Sequence, residues 1–263
     1  MTGQTLGIIG GAGMLGRAIL QATLQSRLLP PSQIWVSCRS GQLDGFDTYP
    51  ELNVTADNQR LAMACDVVLL CVPPAAAEDL GVSLGGKLVI SVMAGVTAER
   101  IAALTGATRI VRAMCSPAAA TGVAYSPWVA TDGVTAGDRD FVGSLFGACG
   151  TTDQIRDEAH LDIFTAMTGP VPGFVAFFAE SMTQYAVAHG IDSEVADRSV
   201  RQLFLGAGQM MASGEATPAD HVQGMIDYAG TTAAGLKVLR GSDLRNLIAE
   251  GLDATVARCR GMS

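Results

Sequence analysis

Apolar positions follow two patterns along the chain. Up to about residue 155 they come as short, nearly unbroken runs rich in Val and Ile: LGIIG (6–10), QIWVSC (33–38), DVVLLCV (66–72), KLVISV (87–92), TRIVRAM (108–114) and GVAYSPWVA (122–130). Such runs, separated by helix-like stretches, predict strands of a parallel sheet covered by helices on both faces, because a strand buried on both sides has no wet face to alternate toward. From about residue 158 the runs stop and apolar residues recur at helical spacing, in LDIFTAMTG, in 171–190, in 193–214, and in a last pair over roughly 229–240 and 243–260. The pattern predicts an α/β protein with a doubly wound sheet in residues 1–155 and an all-helical domain in 156–263. Within the helical part, Val171, Phe174, Val175, Phe177, Phe178, Met182, Tyr185 and Val187 occupy more than one face of a single helix. A small helical domain does not readily cover that surface alone, so an obligate dimer built through the C-terminal helices is expected.

The first apolar run ends in an unusual junction. LGIIGGAGMLGRAIL (6–20) passes from strand to helix through Gly10, Gly11, Gly13 and Gly16. Gly11-x-Gly13-x-x-Gly16 is the dinucleotide fingerprint, in which one glycine serves the tight turn, one admits the pyrophosphate to the backbone and one allows close helix packing. Ala12, Met14 and Leu15 fill the spacing, and the helix start offers its free N–H groups to phosphate. Glycines also gather at purely structural turns, but placement on the first strand of an alternating β/α half favours cofactor binding. The second run ends in Ser37-Cys38-Arg39-Ser40, where an NAD site would carry Asp or Glu for the ribose hydroxyl. A guanidinium flanked by hydroxyls suits a 2′-phosphate, so Cys38, Arg39 and Ser40 point to NADP(H).

Composition narrows the field further. Seventeen basic against 25 acidic residues give a net charge of −8, which repels nucleic acid. Six cysteines without a CxxC pair, and three histidines (His160, His189, His221) without ligand spacing, argue against a metal site and for reduced thiols. Cys115 has no histidine nearby in sequence and reads as a buried thiol rather than a nucleophile. No uninterrupted apolar run approaches the ~18 residues of a membrane span. The opening MTGQTLGII leads into the first strand without a basic segment, and a cytoplasmic protein is expected.

Together these segments resemble the pyrroline-5-carboxylate reductase family over nearly the full length. IIGGAGM is similar to the family's IGGGNM, VSCRS to its basic loop, DVVLLCVPP to DVVxLAVKP and LVISVMAGVTAERI to its xIISxxAGV segment. TAMTGPVPGF (165–174) parallels TxLSGSGPAY, and PADHVQGMIDYAGTTAAGL (218–236) aligns with the signature ending in SPGGTTxxGL. The resemblance implies a Rossmann domain followed by a helical dimerisation domain, and reduction of a cyclic imine by hydride from NADPH. It implies further cofactor contacts at Cys71, Val72 and Pro73 and at Met93 and Ala94. It also places Thr232 where the family's threonine faces the ring nitrogen; a hydroxyl donor there stabilises changing charge in the transition state. Read alone, Thr232 is better taken as a helix N-cap, and it is the resemblance that reverses the choice.

Several positions depart from the family pattern. Where the family holds a substrate carboxylate with a serine and backbone N–H groups, this chain has Asp227, with Tyr228 for the proline and Ala229 for the first glycine. An ionised Asp beside a substrate carboxylate is like-charge repulsion. The MPNTP segment has become Met114-Cys115-Ser116-Pro117, the lysine of VKP is Pro73, and SGSGPA is Thr168-Gly169-Pro170-Val171-Pro172-Gly173. Tyr228 reads either as a proton donor to the nitrogen or as a packing residue. Asp227 reads either as a partner for an iminium or as a helix N-cap. The changes predict an NADPH-dependent reductase retuned to a non-standard cyclic imine. An ordinary proline-forming reductase and a non-catalytic NADP(H)-binding protein are the alternatives.

Overall fold

The computed structural model describes residues 3–169 and 173–261. Its first part is an eight-stranded sheet built from β1 (Leu6–Ile9), β2 (Ile34–Ser37), β3 (Asn53–Thr55), β4 (Val67–Leu70), β5 (Leu88–Ser91), β6 (Arg109–Ala113), β7 (Ala124–Ala130) and β8 (Gly150–Gln154). The spatial order is β3-β2-β1-β4-β5-β6-β7-β8, and every pair is parallel except β6 with β7. In β1 the period of two divides the side chains between two cores. Leu6 and Ile8 join Val67, Leu69, Leu88 and Ile90 on one face, beneath α1 (Met14–Gln25) and α4 (Ala136–Cys149). Ile9 joins Val68, Leu70 and Val89 on the other, where α2 (Asn58–Ala64) supplies Leu61 and α3 (Ala98–Thr105) supplies Ile101. The sheet is therefore wound on both faces, as its unbroken apolar strands require.

Two of the helices on the sheet start at caps that also fix charge. Thr135 and Asp138 form a capping box at the start of α4, and the buried Asp138 carboxylate accepts from Arg109 Nη1 at 2.9 Å. Arg112, buried in β6, donates to Glu158 at 2.8 Å, and Glu158 also accepts the Ala98 amide at the start of α3. Each buried charge has its partner, which a dry interior demands.

The helical part comprises α5 (His160–Thr168), α6 (Gly173–Ala188), α7 (Ser193–Ala212), α8 (Pro218–Asp227), α9 (Thr231–Arg240) and α10 (Leu244–Arg260). Contacts divide the chain into Met1–Val171 with Leu252–Ser263, and Pro172–Gly251. In the first unit the end of α10 lies by α5, with Cys259 Sγ 3.5 Å from Asp162. In the second, α6 packs on α7 and α8 on α9. No residue of α6 is buried, and Phe177 stands 65% and Tyr185 68% exposed. Val171, counted on this helix by its sequence pattern, lies outside the described residues.

Three elements depart from the expected pattern. The strands β3 and β8 were not predicted, and both lie at the edges of the sheet, where residues such as the half-buried Asn53 and the exposed Asp153 make no apolar run. The helix α8 was also unpredicted, because its sequence PADHVQGMID carries only Val222, Met225 and Ile226 as large apolar residues, too few to mark a stripe.

Candidate active site

The fingerprint loop leaves β1 at the C-terminal edge of the sheet. From β1 the chain turns to β2 and β3 on one side and later to β4 on the other, so the strand order reverses here, at the kind of switch point where such sheets take dinucleotides. The tight turn falls on Gly10, whose φ of +83° is left-handed backbone. Gly16 allows the close approach: a Cβ there would stand 2.6 Å from the Gly10 carbonyl oxygen. Gly13 is the N-cap of α1 and contributes no side-chain cap. The Gly11 amide donates to Ser37 O, whereas the amides of Ala12, Met14 and Leu15 have no partner among the described residues. Unspent donors at a helix start, with no side chain in front of them, fit a pyrophosphate.

Arg39 is exposed and forms no hydrogen bond or ion pair with another described residue. Its neighbours are occupied. Cys38 Sγ and Ser40 Oγ each donate to the Gln42 carbonyl at 3.1 Å, and Ser40 Oγ accepts the Gln42 amide at 3.3 Å. The loop is thus tied by Cys38 and Ser40 and leaves the guanidinium unpaired, which suits a 2′-phosphate. Arg17, which the sequence reading passed over, holds the following segment from α1: it donates to Asp44 O at 2.5 Å and lies 5.1 Å from the Phe46 ring centroid.

At the end of β4, Cys71 and Val72 are half-buried and Pro73 is exposed, and the Cys71 amide donates to Ile9 O at 2.9 Å. Burial pushes the Cys71 thiol up. Beyond β5, Met93 is buried with its amide on Ser91 Oγ at 3.3 Å, and Ala94 is half-buried. The proposed cofactor residues therefore gather at one edge of one sheet. Cys115 is 3% exposed, and its neighbour Cys149 is pushed up by their hydrogen bond and by burial.

Asp227, Tyr228 and Thr232 stand together at the α8–α9 turn. Asp227 is the last residue of α8 rather than an N-cap, and its Oδ1 accepts from Gln223 Nε2 at 2.8 Å. Tyr228 is 85% exposed rather than packed inside, and its ring faces Gly230: a Cβ on Gly230 would lie 3.3 Å from the ring. Ala229 adopts a φ of +57°, left-handed backbone that suits the glycine of the family pattern better than alanine. The N-cap of α9 is Gly230, not Thr232, and no side chain caps that helix. The exposed Thr232 hydroxyl has no hydrogen-bond partner among the described residues. Pro170, Val171 and Pro172 of the departing 168–173 segment lie outside the described residues.

Comparison with known proteins covers both units. The pyrroline-5-carboxylate reductase dimerisation family matches residues 158–262, and the family described as NADP oxidoreductase, coenzyme F420-dependent, matches residues 5–95. A pyrroline-5-carboxylate reductase of Synechocystis is 30% identical over 96% of this chain and 96% of its own. The solved structure of a pyrroline-5-carboxylate reductase from Coxiella burnetii is 28% identical, with a TM-score of 0.87 over 99% of this chain and 98% of that one. An NADP-bound pyrroline carboxylate reductase from Plasmodium falciparum, 23% identical, shares the fold at a TM-score of 0.82 over 100% of this chain and 99% of that one. With a glycine-rich strand-to-helix junction at the point where the strand order reverses and this likeness running through both units, the chain belongs to the pyrroline-5-carboxylate reductase family, NAD(P)H-dependent oxidoreductases that act on C=N bonds.

Proposed function

We propose that the protein is an ordinary pyrroline-5-carboxylate reductase, which reduces 1-pyrroline-5-carboxylate to proline with NADPH. The observation that carries this reading is the extent of the kinship: the 30% identity to a pyrroline-5-carboxylate reductase spans 96% of both chains. The departures at 227–229 suggested a retuned imine substrate, and the relatives favour the ordinary one instead. NADPH, when bound, supplies the hydride for the imine carbon; the ring nitrogen gains a proton, and the products are the cyclic amine and NADP⁺. The open amides of Ala12, Met14 and Leu15 hold the pyrophosphate, and Arg39 holds the 2′-phosphate. Thr232 donates its hydroxyl to the ring nitrogen as charge changes there, and the Tyr228 hydroxyl is the second proton donor of the turn. Free amides at the uncapped start of α9 receive the substrate carboxylate.

We place the division of labour at residue 155/156, with cofactor work before it and substrate binding and dimerisation after it. The dimerisation match beginning at residue 158 supports that division. A homodimer through the C-terminal helices accounts for the bare apolar surface of α6. The segment His160–Ala188 is apolar enough, by length and composition, to cross a membrane, but it falls within the dimerisation match, which favours a protein interface. A cytoplasmic setting belongs to the same reading, since all six cysteines are free thiols, as a reducing compartment keeps them.

NADPH oxidation by the purified protein with a panel of cyclic imines tests the function. Efficient turnover of 1-pyrroline-5-carboxylate, with proline as product, is expected. Turnover only of other imines would restore the retuned pocket, and NADPH binding without turnover would make the protein a non-catalytic binder.

A further inference from the structure

An acidic side chain closes α8 at the end where the helix dipole is negative, a position that ordinarily disfavours it. The same residue, Asp227, begins the turn to which the proposed reaction assigns an anionic substrate group. An ionised carboxylate facing that group would repel it. The structure shows where the charge goes instead. Gln223, one turn earlier on α8, donates from Nε2 to Asp227 Oδ1 at 2.8 Å, and its Oε1 accepts from Arg240 Nη1, at the end of α9, at 3.1 Å. Gln223 has one amide donor group and one acceptor, and both are used in a line that joins a carboxylate to a guanidinium. The line crosses from α8 to α9, so it also ties the two helices together behind the turn that joins them.

We propose that Gln223 and Arg240 are positioning residues that turn the Asp227 carboxylate back along α8. They thereby leave the amides of residues 230–232, at the start of α9, open to the carboxylate of the substrate. The proposal rests on the reading of the protein as a pyrroline-5-carboxylate reductase. It reconciles that reading with the acidic residue at 227: the like charge is present, but it is engaged elsewhere. Tyr228 and Ala229 are held in the same turn by backbone bonds from their amides to Gly224 O at 3.0 Å and Ile226 O at 3.1 Å, so the clamp acts on a segment that is already ordered locally. None of the three side chains of the clamp is buried, so substitutions there leave the helical core intact.

The test separates charge from fold. In Gln223→Ala the freed Asp227 carboxylate should raise KM for 1-pyrroline-5-carboxylate by about tenfold, with kcat and the KM for NADPH little changed. Reduction of 1-pyrroline, which has no carboxylate, should be unaffected. Adding Asp227→Asn to Gln223→Ala should restore the KM, because it removes the charge while keeping the shape. An unchanged KM in Gln223→Ala, an equal effect on both imines, or no restoration by Asp227→Asn overturns the proposal. Hydrogen exchange of the cofactor-free protein provides a readout that needs no substrate. Gln223→Ala should speed exchange of the bonded 228 and 229 amides several-fold and leave the sheet as it was; unchanged exchange at those two amides overturns the clamp. Wild-type protein that fails to turn over 1-pyrroline-5-carboxylate overturns the proposed reaction, and the exchange result then decides the clamp alone.

Discussion

Arg39 stands out among the charged residues of this loop because no described residue pairs with it, while Cys38 and Ser40 on either side are both committed to Gln42. A cation held in place by its neighbours' hydrogen bonds keeps its full charge for a ligand. Arg39→Ala should therefore weaken NADPH binding much more than NADH binding, by about 1.5–3 kcal/mol for a charge-assisted contact, as read by titration of both cofactors. Equal losses would remove the 2′-phosphate assignment. Thr232 is the matching case in the helical unit. Gly230, two residues earlier, caps α9, so the Thr232 hydroxyl is not needed to start the helix. Thr232→Ala should lower kcat by roughly tenfold, about the free energy of one hydrogen bond, with NADPH affinity unchanged. Its melting temperature should also stay level, whereas loss of a cap would cost about 1 kcal/mol. Full activity in this variant would leave the hydroxyl without a role.

At the scale of elements, α4 depends on one carboxylate more than on any other polar group. Asp138 closes its capping box and neutralises Arg109, and is itself 4% exposed. Asp138→Ala removes both interactions and leaves the half-buried Arg109 guanidinium with only its bond to the Gly86 carbonyl. A loss of about 2–4 kcal/mol is expected in urea unfolding, more than the ~1 kcal/mol of a cap alone. Which strands the sequence made legible follows from how they are buried. Strands β1, β2, β4, β5, β6 and β7 were readable because the sheet hides their side chains on both faces. The edge strands β3 and β8 carry Asn53 and Asp153 and were not. The helix α8 lacks an inward stripe, but Thr217-Pro218-x-Asp220 spells a capping box with proline at the first position, a signal strong enough to have found it. The strand-to-helix junction at Gly10–Gly16 was legible because its glycine signal is local. The line from Arg240 through Gln223 to Asp227 was not, since its members are 17 and 4 residues apart and meet only when α8 and α9 lie side by side.

For the whole molecule, the decisive feature is the apolar surface of α6. Phe177 and Tyr185 stay exposed in the single chain, as do Val175 and Met182, and the match to a dimerisation family covers this helix. Light scattering at micromolar concentration should return the mass of at least two protomers. Phe177→Glu, which places a charge in the middle of that surface, should shift the mass toward one protomer and lower activity with it. A wild-type monomer would contradict the assembly. If a helix without a single buried residue finds its core only in a second copy, folding and association form one equilibrium. The midpoint of thermal unfolding then rises with protein concentration, and simple dilution acts on this protein as a denaturant does on others.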